Sequence, residues 1–286
     1  MKLSKYKKSK NRRNTRRRKI KLRGGGQKEF HFYCTFHYGD NILNLKFLYN
    51  ISPILKKHGI TIKYYYDALY IHNVDELQRY VNPDVVTLFT MDTKPVNAIQ
   101  LWMGDKTFIN NVSYNQINIF YDLFYKKILG ILGLESENIK TSLFQEESYL
   151  QDIYNKLDPK FHNIDILIIN AQPQSGQLDY NKSKMDEMCI RLSSKYKIVT
   201  TTHVNDSINS TMKSGLKLQD IGAISTHAKY IIAVNSGPVT TCFNIDTQKS
   251  VKKWIIFDKS SITNSEINMV LLNNLDTIDN IEQYLT

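Results

Sequence analysis

Two short turns carry groups of a type that can move a proton or hold a phosphate. The first is Tyr38-Gly39-Asp40-Asn41, which follows an aromatic-rich apolar run. Gly39 permits a turn that a side chain would hinder. Asp40 then falls at the start of a helical pattern, beyond a strand end. Asp is a favoured helix cap. It is also a suitable general base, because a hydroxyl is a poor nucleophile until a carboxylate accepts its proton in the transition state. The two readings are compatible. The second turn is Asn235-Ser236-Gly237-Pro238-Val239-Thr240. There a buried strand should give way to a helix opened by Pro238. The amides of Gly237, Val239 and Thr240 and the hydroxyls of Ser236 and Thr240 are then anion donors. Charge-assisted bonds to a diphosphate are about twice as strong as neutral ones, and the helix end adds a partial charge of roughly +0.5. The bland alternative is a plain strand-to-helix turn.

A third segment, Asn170-Ala171-Gln172-Pro173-Gln174-Ser175-Gly176-Gln177, follows another buried run and is rich in amide side chains. Lys182 and Lys184 lie just beyond it, where one of them can reach a phosphate as a point charge or simply solvate a helix start. His203 ends the run KIVTTTH and falls at the same sheet edge as the second turn.

These turns need elements to hold them. Residues 29–36 read as a first strand. Ile42, Leu45, Leu48 and Tyr49 recur at helical spacing, with Pro53 kinking or restarting the helix and Gly59 ending it. Strands are predicted over 61–66 and 85–90, with a short helix over 74–80 between them and a long helix over 116–132. After Asp158-Pro159 the pattern restarts. Strands are predicted over 165–170, 197–202, 230–235 and 254–258, and helices over 183–195 and 218–228, from about 238, and over 266–285. Strand, helix, strand in this order implies right-handed parallel crossovers. The predicted fold class is therefore α/β, with two Rossmann-like domains at 29–158 and 159–286.

The 286 residues suffice for two such domains, and 42% hydrophobic content supports real cores. The net charge of +11 is unevenly placed. Residues 1–28 carry 14 Lys or Arg and no acid, leaving 24 bases against 27 acids elsewhere. That leader has no apolar run, so it is expected to be disordered, joined to the fold by Gly24-Gly25-Gly26. It also lacks the apolar core of a signal peptide, and no stretch approaches the roughly 18 apolar residues of a membrane span. Cys34, Cys189 and Cys242 have unrelated spacings, which fits free thiols in a reducing compartment, so a cytoplasmic location is expected.

Other signals are weaker. His31, Cys34 and His37 have a metal-like spacing, but alternation along a strand turns Cys34 away from both histidines, and no metal is expected. Cys242 reads as a core residue of a helix, and nothing places it beside His203 or His227. Asp220 reads as a helix cap. Trp102, Tyr64–Tyr66 and Tyr121 can stack on a sugar or base, although aromatics at such spacings usually fill cores.

Taken together, these edges resemble glycosyltransferases of GT-B architecture, and most of all the lipopolysaccharide heptosyltransferase family. The residues that carry the resemblance are Tyr38-Gly39-Asp40-Asn41-Ile42-Leu43, Leu218-Gln219-Asp220-Ile221, Ala228-Lys229 and Asn235-Ser236-Gly237. The resemblance implies a nucleotide-sugar donor on the second domain, a glycan or other hydroxyl acceptor on the first, and no cofactor or metal. It implies that Asp40 is the base, with Gly39 and Asn41 on the acceptor side. It implies that Ser236, Gly237 and Thr240 face the donor diphosphate, with a Lys after the 165–170 strand, Lys182, assisting, and it favours inversion. Asn170, Gln172, His203 and Asn235 are expected donor-side from their place at the same edge. The chain departs from the family where a turn acid becomes Asn235 and a turn histidine becomes Thr240. Its Asn-, Lys- and aromatic-rich style with a basic leader is similar to proteins of large cytoplasmic DNA viruses. Two other functions fit the sequence: a nucleic-acid-binding or virion-packing protein acting through residues 1–28, whose density of bases suits phosphate backbones, and a GT-B-shaped sugar-nucleotide epimerase.

Overall fold

The structure is a computed structural model that describes residues 28–69, 74–93, 95, 97–102, 115–174 and 176–285. Residues 1–27 of the basic leader expected over 1–28, with its Gly24-Gly25-Gly26 joint, lie outside the described residues, and Lys28 belongs to the first strand. The first half runs β1 (Lys28–Cys34), α1 (Tyr38–Asn50), α2 (Ser52–Lys57), β2 (Ile60–Tyr66), α3 (Val74–Gln78), β3 (Val86–Thr90) and β4 (Ile99–Gln100). The helices α4 (Ile117–Leu132) and α5 (Leu150–Lys156) follow. The second half runs β5 (Ile166–Ile169), α6 (Lys182–Ser193), β6 (Ile198–Thr200), β7 (Asn209–Ser210), α7 (Leu218–Ser225) and β8 (Tyr230–Val234). It continues through a 3-10 turn (Gly237–Cys242), α8 (Ile245–Ser250), β9 (Lys253–Phe257), β10 (Met269–Leu272) and a closing 3-10 segment (Ile278–Tyr284).

Two parallel sheets result. Their strand orders are β3-β2-β1-β4 and β10-β9-β8-β5-β6-β7. The central strand β5 reads Ile-Leu-Ile-Ile and is buried along its whole length. Such unbroken apolar runs mark parallel strands covered on both faces. Sequence order reverses between β1 and β4 in the first sheet and between β5 and β8 in the second. Ligands of open α/β sheets bind beyond the carboxyl ends of strands at such reversals.

The helix α1 is buried along Asn41–Leu48, Lys46 included, rather than on one stripe. A helix apolar on all sides belongs inside a core, and α1 has the first sheet on one side and the Gly237–Cys242 turn on the other. One buried cluster runs from Phe32 and Tyr64 through Phe124 and Ile128 to Leu167 and Trp254. The two sheets therefore share a core. Gly59, at φ +61°, ends α2 in the left-handed region where glycine carries no Cβ penalty. The helix α5 packs on α7 through Leu150, Tyr154 and Ala223.

Two expected elements differ. Residues 266–285 do not form the single helix expected: only Ile278–Tyr284 turns helically, as a 3-10 segment. Val270, Leu271 and Leu272 extend the second sheet in register with Ile255, Ile256 and Phe257, because an apolar run beside an open parallel edge gains ladder hydrogen bonds. The helix expected from Pro238 is a six-residue 3-10 turn. The α-helix begins only after Asn244, whose side chain accepts from the Thr247 amide at 2.8 Å.

Candidate active site

A cleft of about 570 Å³ opens where the carboxyl ends of the two sheets meet. Its walls come from the β1–α1 turn (His37, Tyr38, Gly39, Asp40), the β5–α6 loop (Gln172, Gln174, Gln177) and the β8 turn (Asn235, Ser236, Gly237, Thr240). Leu43, Ile117, Tyr121, Phe243 and Ile262 supply apolar surface. The cleft thus lies at both strand-order reversals at once.

The two turns touch. A Cβ built on Gly39 would stand 3.1 Å from Thr240 Cγ2 and 3.4 Å from Gly237 Cα. Glycine lets α1 approach the β8 turn this closely without the Thr240 methyl having to give way. Asp40, one residue on, is partly exposed to the cleft. The α1 N-cap is His37, so Asp40 is not the cap residue and its carboxylate is left for the cleft. Burial pushes the Asp40 carboxyl up to about 6, with its own amide a smaller opposing influence. Such a group is ionised at neutral pH and more basic than an ordinary aspartate.

Below Asp40 on α1, Lys46 is fully enclosed. Its Nζ pairs with Glu147 Oε2 at 2.5 Å, with side-chain exposures of 0% and 3%. It also donates to the carbonyls of Phe243 at 3.0 Å and of Thr240 and Thr241 at 3.4 Å. The helix α1 therefore holds the β8 turn at both ends, through glycine contact at one and a buried ammonium at the other. Burial raises the Glu147 carboxyl, against the lowering influence of Lys46. The sequence signal for Lys46 was a lone cation inside the apolar run Leu43–Leu48.

The anion donors of the β8 turn are fewer than the sequence suggested. Val239 N donates to Ser236 O at 3.0 Å. Ser236 Oγ donates to Val234 O at 3.1 Å, and Thr240 Oγ1 to Gly237 O at 2.7 Å. All three donors are spent locally, Val239 N and Thr240 Oγ1 on the i to i+3 spacing of the 3-10 segment and Ser236 Oγ on the end of β8. The Gly237 amide makes no main-chain hydrogen bond among the described residues.

Among the expected site residues, Asp40, Gly39, Gln172, Asn235, Ser236, Gly237 and Thr240 line this cleft. Asn41, Asn170, Lys182 and His203 do not. Asn41 is buried, donating to Phe36 O and His37 O at 2.8 and 3.0 Å and accepting from Tyr64 Oη at 3.0 Å. It shapes the first turn from behind. Asn170 is 0% exposed and accepts from Thr202 N at 2.8 Å and Thr201 Oγ1 at 3.1 Å, tying the ends of β5 and β6 together. Lys182 pairs with Asp186 one turn along α6. His203 sits 3.7 Å from Asp206 in an outward loop beyond β6.

Glu76 was not anticipated. It is buried in the cleft wall, accepts from Leu218 N at 3.1 Å and lies 3.7 Å from Lys217 Nζ. It caps α7 from the opposite half of the molecule. Asp220, as expected of a cap, accepts from Lys217 N at 2.7 Å. Among the described lining residues there are two carboxylates, Asp40 and Glu76, and no Lys or Arg. Gln177 Oε1 is buried there without a hydrogen-bond partner among the described residues. Gln172, Gln174, Gln177 and Asn235 add neutral amides to the polar wall. No group of three or more His, Cys, Asp or Glu is arranged to hold a metal ion among the described residues. His31 instead contacts Glu29 at 2.9 Å, and all three cysteines are free and buried. No described helix is long and apolar enough to cross a membrane.

No protein-family model matches the chain, and no curated protein matches it. Solved structures do. The glycosyl transferase family 9 protein from Veillonella parvula aligns with a TM-score of 0.50 at 12% identity, covering 90% of this chain and 88% of that one. The E. coli heptosyltransferase WaaC with ADP-2-deoxy-2-fluoro heptose aligns with a TM-score of 0.56 at 10% identity, covering 90% and 98%. The same enzyme with ADP gives 0.51 at 11% identity, again over 90% and 98%. At these identities the likeness is one of architecture, and the chain has the α/β, Rossmann-like fold of these glycosyltransferases.

Proposed function

We propose that the chain transfers a sugar from a nucleotide-diphosphate donor to a hydroxyl acceptor, without a metal and with inversion. The observation that carries this reading is the meeting of Asp40 and the Gly237 turn in one cleft. The donor lies against the second sheet (159–286), with its diphosphate at the Gly237 amide and the amides of Gln172 and Gln174. The acceptor lies against the first half (29–158). Asp40 takes the acceptor proton as the acceptor oxygen attacks the anomeric carbon, and the nucleoside diphosphate leaves from the opposite face. A base with a pKa of about 6 suits this task near neutrality. With no Lys or Arg in the described wall, leaving-group charge is met by fixed dipoles, which act strongly in a partly desolvated site. Two structures of like fold hold ADP or an ADP-heptose analogue, which makes adenosine diphosphate esters the first donors to try.

The test is a thermal-shift screen of the full chain against nucleoside diphosphates and their sugar esters, followed by product analysis with the ligands that bind. A ligand bound at 100 times its Kd stabilises the fold by about 2.7 kcal/mol. Transfer to an added acceptor supports the reading. Isomerised or hydrolysed donor with no acceptor product points to an epimerase. Absence of any nucleotide-dependent shift removes the proposal.

A further inference from the structure

Behind the cleft lies a second cavity of about 30 Å³, room for a water-sized group or slightly more. It shares Ile117, Asn235, Phe243 and Ile262 with the main cleft, and Asp40 and Gly39 are not among its walls. It is thus a side chamber on the second-sheet side of the site. Two of its wall residues carry buried N–H groups with no hydrogen-bond partner among the described residues, Trp254 Nε1 and Asn264 Nδ2. Trp254 is 0% exposed and Asn264 5%. A buried donor left without an acceptor costs stability, and native structures leave few of them. Two in the wall of one chamber, next to a binding cleft, mark a place built for an oxygen.

The one charged residue among those described in this wall decides which kind. Asp258 is 1% exposed and accepts from Asn235 Nδ2 and from Ser260 N at 2.6 Å. A carboxylate in a 30 Å³ chamber repels a phosphate oxygen and welcomes a group that donates as well as accepts. A hydroxyl does both. Asn235 links the chamber to the β8 turn, so a hydroxyl that enters is carried by the ligand lying on that turn.

We propose that this chamber is a specificity pocket for one hydroxyl or hydroxymethyl arm of the donor's sugar, which accepts from Trp254 Nε1 and Asn264 Nδ2 and donates towards Asp258. The proposal rests on the transferase reading and adds to it the residues that read the sugar rather than the nucleotide.

The experiment is isothermal titration of the full-length chain and two variants, Trp254→Phe and Asn264→Ser, with paired probes: ADP against ADP-heptose, UDP against UDP-glucose and GDP against GDP-mannose. Trp254→Phe keeps a ring and removes the N–H. Asn264→Ser withdraws the amide and keeps an oxygen near the Glu266 amide, which Asn264 Oδ1 now bonds at 2.9 Å. For the pair that binds, each variant should lose about tenfold in affinity for the sugar ester, the worth of one hydrogen bond, and less than about twofold for the diphosphate. Equal losses for both ligands, or no loss for the ester, would overturn the pocket and leave the transferase reading standing. Failure of every diphosphate and ester to bind the unaltered chain would remove the transferase reading and this pocket with it. Should either variant not fold, a crystal structure of the unaltered chain with the bound ester decides. A sugar oxygen within hydrogen-bond reach of both donors supports the pocket, and an ordered water there in its place overturns it.

Discussion

Replacing Asp40 by Asn should make the protein inactive and more stable, and the two effects should share one pH dependence. Burial lifts the Asp40 carboxyl from 3.8 to about 6. A raised carboxyl pKa means that the folded state binds the proton more tightly than the unfolded state. Stability therefore falls as pH rises from about 4 through 6 and stays lower above that. At 1.36 kcal/mol per pK unit, the full shift corresponds to about 3 kcal/mol. Asp40 is partly in contact with solvent, which reduces the value to roughly 1–3 kcal/mol. The Asp40→Asn variant has no charge to desolvate at this position, so Tm should rise by roughly 2–10 °C at pH 8, and the gain should shrink towards zero by pH 4. Turnover should drop by about 10²–10⁴-fold, the usual contribution of a general base. In the unaltered chain kcat/KM should fall below pH about 6 as the base protonates. Scanning calorimetry from pH 4 to 8, with initial rates on the same preparations, measures both. A variant that keeps its turnover, or a Tm difference equal at pH 4 and pH 8, would refute the desolvated-base argument.

Two further outcomes follow from the geometry and a third from the charge of the leader. Lys46→Met leaves Glu147 buried without its partner and should cost about 3–5 kcal/mol by urea denaturation; the deficit should narrow at acid pH as Glu147 protonates, and adding Glu147→Leu should restore most of the loss. Gly39→Ala places a Cβ 3.1 Å from Thr240 Cγ2. It should lower kcat several-fold by parting the two turns, and Thr240→Ser, which removes that methyl, should recover activity in the double variant. Removing residues 1–27, which carry 13 of the 38 Lys and Arg, should abolish salt-sensitive binding to RNA or DNA in a filter assay; retention of that binding would place it on the folded part.

Much of this architecture was legible because parallel strands are apolar runs punctuated by small-residue turns. Ile166–Ile169, Tyr230–Val234 and Ile60–Tyr66 announce themselves in this way. The pairing of Gly39-Asp40 with Asn235-Ser236-Gly237 was legible too, since both turns follow strands at sheet reversals. Other features depended on long-range contact. Glu76 and Leu218 are 142 residues apart, and nothing local to either marks the cap they form. Lys46 reads as a misfit in a buried helix until Glu147 and three carbonyls surround it. Asn170 is turned from the cleft by Thr201 and Thr202 at the end of the neighbouring strand, whereas Lys182 and His203 sit against their near neighbours Asp186 and Asp206. The last strand, Met269–Leu272, was misread as helix because its pairing with Trp254–Phe257 is set by an open sheet edge and not by its own periodicity.

The most direct test of the central claim is a crystal structure of the full chain with a nucleoside diphosphate sugar that stabilises it. The account predicts the diphosphate at the Gly237 amide, the sugar between the β8 turn and Asp40, and the carboxylate facing the anomeric carbon from the side opposite the leaving group. A nucleotide bound away from this cleft, or one whose anomeric carbon is turned from Asp40, would contradict it.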